Sequence, residues 1–206
     1  KRKVSYGLLN AVSTATKSAV KGMVANTIDL DKSQVELSKV TELSGKSMEE
    51  FTDKAFEAGR MVAKTGKEMI DASTEFSKSG FGDDPKMALN LAKIATMYQN
   101  IADEEISAGD ASNFIVSQLK VFGSELSEVY GDAEGQATHV VDAVNEVANT
   151  FAVSSGDIAG NLGKASAAAH NAGMSYEQLI GVMTGMTEIN RNAGKSARAN
   201  YCLYVQ

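Results

Sequence analysis

The chain has 206 residues, a net charge of −6 and a pI of about 5.0, which excludes a general nucleic-acid binder, because that needs a basic surface to displace counterions. A single cysteine, Cys202, excludes an internal disulfide framework and a cysteine zinc site, and no apolar run approaches the roughly 18 residues of a membrane span. Hydrophobic residues make up 43%, but Trp is absent and aromatics are only 6%, so Ala, Gly, Ser and Met must do much of the packing, each burying little area.

The first predicted element is a long helix over residues 4–43. Val4, Leu8, Val12, Ala15, Ala19 and Met23 step by three or four residues and so share one face. Ile28, Val35 and Val40 continue the stripe less regularly. At about 1.5 Å per residue such a helix spans roughly 55 Å and should pack along other helices or along copies of itself. Lys1-Arg2-Lys3 is basic, but no long apolar stretch follows, so no signal peptide is expected. The absence of an initiator Met suits a processed chain or an excerpt.

Shorter helices follow, each opened by cap chemistry. Ser47 stands three residues before Glu50, and Thr65 three before Glu68, the spacing of a capping box. Asp84 and Pro85 (the one proline) fit an N-cap and first helical position. Ser107 with Asp110, Ser154 or Ser155, and Ser175 with Gln178 open three more. Gly80, Gly82, Gly123, Gly131, Gly173 and Gly194 supply stops or turns. The predicted spans are 4–43, 47–64, 66–79, 85–102, 107–122, 133–152, 155–172 and 175–193. The fold class is therefore all-α: a multi-helix bundle of short capped helices behind one long N-terminal helix. Its expected division is a helix over 1–45, a helical core over 46–199 and a divergent tail over 200–206, where Tyr201 to Val205 alone looks strand-like.

Few residues carry candidate chemistry. Gly163-Lys164-Ala165 and Gly194-Lys195-Ser196 resemble the tail of a phosphate loop, but Ile158 and Ile189 stand where the first glycine belongs, and neither follows a strand. Asp83, Asp84, Asp103, Glu104, Glu105 and Asp110 lack the order of a calcium loop and suit helix N-termini. His139 and His170 read as helix-face residues. Gly156-x-x-x-Gly160 has polar neighbours, which favours close packing in water. The run Leu179 to Met186 is the most apolar; core packing explains it first, and a partner-binding or membrane-active face second. No catalytic, metal or cofactor site is expected. Leu8, Val12, Ala19, Met23, Leu179, Met183 and Met186 are the expected self-association or partner face.

The order of motifs over residues 33–199 resembles the core region of phage tail tape measure proteins, from long-tailed phages and prophages. Glu57 to Gly66 is similar to that family's helix-then-glycine element, and Ala72 to Phe81 to its Gly-Phe signature. Ala88 to Asp103 resembles the next helix, and Ala111 to Phe122 one leading to a Phe122-Gly123 break. Val141 to Thr150, Ser154 to Leu162 and Ala172-Gly173-Met174-Ser175-Tyr176-Glu177 match the second half in order. Gly194 to Ala199 stands where the family has a turn into a further helix, and Asn200 to Gln206 departs from the pattern.

The resemblance implies a non-enzymatic virion protein of the tail lumen, present in the host cytoplasm during assembly, around which tube subunits polymerise and whose length sets tail length. It implies tail tube protein, tail assembly chaperones and distal tail or baseplate proteins as partners, a homo-oligomer packed in coiled-coil fashion, and host membrane contact at ejection. It implies no sequence-specific nucleic-acid binding. The rival readings are a lytic enzyme, for which no reacting constellation is found, a membrane-active helical protein aiding genome ejection, and an unrelated helical scaffold.

Overall fold

Helices dominate because apolar residues recur at helical spacing and proline is confined to a first turn, where its missing N–H costs nothing. The computed structural model describes residues 27–190. In chain order these are α1 (27–38), α2 (Gly45–Met61), α3 (Gly66–Phe76), a π-helical turn (Ser77–Phe81), α4 (Pro85–Ile101), α5 (Ala108–Tyr130), α6 (Ala133–Thr150), α7 (Ser155–Asn171) and α8 (Tyr176–Asn190). No strand occurs among the described residues. The chain is all-α, as its sequence pattern predicts.

The cap chemistry sets most starts. Thr65 Oγ1 accepts from the Glu68 N–H at 3.2 Å, and Glu68 Oε2 accepts from the Thr65 N–H at 2.8 Å. The Thr65 hydroxyl also donates to Glu68 Oε2 at 2.8 Å, and the two bonds from Thr65, N–H and O–H, hold the Glu68 carboxyl below its usual range. Ser175 and Gln178 make the same reciprocal pair. Asp84 accepts from Lys86 and Met87, and Ser107, Asp132 and Ser154 each accept from the amide three residues on.

Four expected boundaries move. α1 ends at 38 rather than 43, because the amides of Lys39 and Val40 fall back to i−3 carbonyls and the Thr41 hydroxyl takes the Leu37 carbonyl. α2 begins at Gly45 because Ser44, not Ser47, is its N-cap; the Ser47 hydroxyl instead accepts from the Ser44 N–H at 3.0 Å. α3 gives way to the π turn at Ser77, where Gly80 takes φ 105°. α5 runs eight residues past its expected end, through Gly123 to Tyr130, since Phe122 and Leu126 continue its buried stripe; it stops at Gly131, φ 75°. Gly123, a break by its sequence setting, instead lies mid-helix, where an added Cβ would stand 3.2 Å from Gln136 Oε1 of α6.

One hydrophobic core joins all eight helices. α4 is central and packs on α2, α3, α5 and α6. Tyr98, Tyr176, Phe76 and Phe122 are its largest fully buried side chains. Between them the contacts are made by small residues, among them Ala55, Ala88, Ala92, Ala111, Ala137, Ala165 and Ala169, which let helix backbones approach. α1 belongs to the same core through Leu37, and Gln34 Nε2 donates to Thr52 Oγ1 of α2 at 2.8 Å.

Candidate functional site

Both histidines take part in packing, and one meets a carboxylate the sequence did not announce. The His139 ring stacks on Tyr130, centroids 3.8 Å apart, and meets Tyr176 edge-on at 5.8 Å. Its Nε2 lies 3.2 Å from Glu177 Oε1. The cluster fastens α5, α6 and α8 together. Thirty-eight residues separate His139 from Glu177, and no local pattern signals such a pairing. Its sequence setting predicts only a helix-face residue, whereas the ring is mostly covered. His170 meets Phe122 edge-on at 5.1 Å.

Two phenols are enclosed. Tyr98 donates to the Ser155 carbonyl at 3.0 Å, and Tyr176 to the Val140 carbonyl at 3.0 Å. Burial pushes both phenols above their usual range, with smaller contributions from Glu104 at Tyr98 and Glu177 at Tyr176. These bonds are tertiary staples: each ties a side chain to the backbone of another helix.

The acidic residues behave as helix-start charges. Asp84 and Asp110 sit in first-turn capping pairs, and Glu104 accepts from the Ser154 hydroxyl at 2.8 Å. Among the described residues no three His, Cys, Asp or Glu side chains converge as metal ligands. Gly163-Lys164-Ala165 lies inside α7, where no phosphate-cradling loop exists. Gly194-Lys195-Ser196, Cys202 and the Tyr201–Val205 stretch fall outside the described residues.

The expected partner face divides. Leu8, Val12, Ala19 and Met23 lie outside the described residues. Leu179 and Met183 are fully buried in the core, so they cannot offer a face to another molecule without unfolding α8, and Met186 is half-buried. The outward apolar residues of α8 are instead Val182 and Ile189. A second exposed apolar set lies at one end of the bundle: Met61 of α2, Met97 and Ile101 of α4, and Phe151 after α6. Asn100 Nδ2 donates to the Val62 carbonyl, and Tyr98 reaches Ser155, which brings these helix ends together. No described helix is long and apolar enough to cross a membrane.

A third surface is the groove between α5 and α7, about 460 Å³ in volume. Its lining combines Phe114, Ala159, Gly160 and Gly163 with the polar Asn113 and Ser117 and the acidic Glu105 and Asp110. An added Cβ at Gly160 or Gly163 would meet nothing within 4 Å. The Gly156-x-x-x-Gly160 spacing therefore brings no described helix against Gly160, while Gly156 lies under the Glu104 side chain.

The model of a protein family described as "Phage-related minor tail protein" matches residues 68–201. No solved structure matches the chain.

Proposed function

The chain belongs to the phage-related minor tail protein family, and from that premise we propose that it is the folded module of a tail tape measure protein, acting in tail assembly and tail length determination. The observation that carries this reading is the family match over residues 68–201, whose described part, α3 to α8, folds as successive capped helices around one core. Such a unit occupies space and presents surfaces. It suits a structural role among other tail proteins.

The bundle is too turn-rich to be the ruler itself, since only extended helix converts residue number into length at about 1.5 Å per residue. On this reading it anchors or terminates an extended region within the tail lumen, after assembly in the host cytoplasm. Its partners are the tube protein, the assembly chaperones and the distal tail or baseplate proteins. Copies associate with one another through the Leu8, Val12, Ala19 and Met23 stripe.

The test is genetic and visual. In-frame deletions and duplications within the parent gene, outside residues 27–190, change tail length in electron micrographs in proportion to the residues removed or added. Tails of unchanged length overturn the reading.

A further inference from the structure

Charge is segregated along this chain. All 26 Asp and Glu fall within residues 27–190, which hold only 12 of the 20 Lys and Arg. Before them stand Lys1, Arg2, Lys3, Lys17 and Lys21 with no acidic residue, and after them Arg191, Lys195 and Arg198, again with none. Within the bundle the imbalance is local. Every Lys–carboxylate bridge among the described residues lies between residues 29 and 78. Residues 103–190 carry 13 acidic side chains against Lys120 and Lys164.

The α5–α7 groove lies in that acidic half. Phe114 and Ala159 give its lining an apolar part, and its glycines leave room for another chain, at a cost of roughly 1 kcal/mol of helix propensity each relative to alanine. Among the described residues, nothing packs into the space at Gly160 and Gly163. Residues 1–26 have the complementary composition: apolar residues spaced three or four apart from Val4 to Met23, and five cations. We infer that the groove between α5 and α7 receives the basic, amphipathic segment 1–26 of a second copy of this chain, the stripe lying on Phe114, Ala159, Gly160 and Gly163 and the cations facing Glu105 and Asp110.

The inference rests on the self-association reading above and names the surface that the stripe meets. The contact joins two different surfaces, so it is heterologous and propagates from copy to copy unless the rotation closes a ring. Because it depends on opposite charges exposed to solvent, it weakens as salt shortens the range of the attraction.

The experiment uses the full chain with Cys202→Ser. Copies carrying Ser13→Cys, labelled with a maleimide nitroxide, are mixed with unlabelled copies enriched in nitrogen-15. Amide signals of Gly160 and Gly163 in the enriched copies broaden, and the broadening falls several-fold as NaCl rises from about 50 to about 500 mM. Gly160→Gln, which points into open space and leaves the melting curve of the bundle in place, removes it. Sedimentation in the same samples reports association. If the copies do not associate at all, the self-association reading fails and this inference with it. If they associate without broadening at Gly160 and Gly163, or if broadening arises only when label and isotope share one chain, the groove assignment alone is overturned.

Discussion

Tyr98 and Tyr176 illustrate what single residues contribute. Each fills a large core volume and hands its hydroxyl to a carbonyl on another helix. Replacing either with Phe keeps the volume and removes one hydrogen bond, so Tyr98→Phe and Tyr176→Phe each lower stability by about 1 kcal/mol in urea melts. Truncation to Ala costs about 3 to 5 kcal/mol through the cavity it leaves. Alkali reads the same environment. A phenol whose folded pKa is raised contributes stability that is intact below pH about 10 and is lost as pH climbs beyond it, because the unfolded chain then releases a proton the folded chain keeps. Absorbance at alkaline pH shows Tyr98 and Tyr176 ionising only as the fold is lost. In the double Phe variant that late step disappears.

Elements in this fold are decided mainly at their ends. The reciprocal pairs Thr65–Glu68 and Ser175–Gln178 can be read in sequence because they depend on a spacing of three residues. The stop of α2 cannot be read that way. It uses Ala63 at φ 56°, with the Lys64 N–H closing on the Gly59 carbonyl at 2.8 Å. A left-handed alanine is strained, and a stop of this kind usually carries glycine. Ala63→Gly therefore raises stability by about 0.5 to 1 kcal/mol, seen as a higher denaturant midpoint with unchanged slope. If the midpoint falls, the left-handed stop is not what ends α2. Gly123 is the opposite case: a glycine that looks like a stop lies in mid-helix, because Phe122 and Leu126 are held in the core on either side.

At the scale of the whole molecule, a strongly acidic half is joined to a half with nearly balanced charge that holds the six Lys–carboxylate bridges among the described residues. Repulsion among the carboxylates of residues 103–190 opposes the compact state, and salt screens it. Raising NaCl from about 20 to about 300 mM lifts the melting temperature by about 2 to 4 °C, the equivalent of about 1 kcal/mol for a chain of this size. Charge variants locate the effect: Glu128→Gln, on the exposed side of α5, reduces it, whereas Glu36→Gln, whose carboxylate already pairs with Lys39, does not. A melting temperature that ignores salt contradicts this charge distribution as a determinant of stability.

The sequence by itself determined the helical class, the cap residues of most helices and membership in a phage tail family, because periodicity, capping and motif order are local or linear properties of the chain. It placed the starts at Gly66, Pro85, Ala133 and Ser155 within a residue or two. Only the tertiary structure decided which apolar residues face inward: it turned Leu179 and Met183 into the core and left Met61, Met97 and Ile189 outside. It likewise paired His139 with Glu177 and left Gly160 facing an open groove. Those outcomes depend on which helices become neighbours, and residues tens of positions apart along the chain set that.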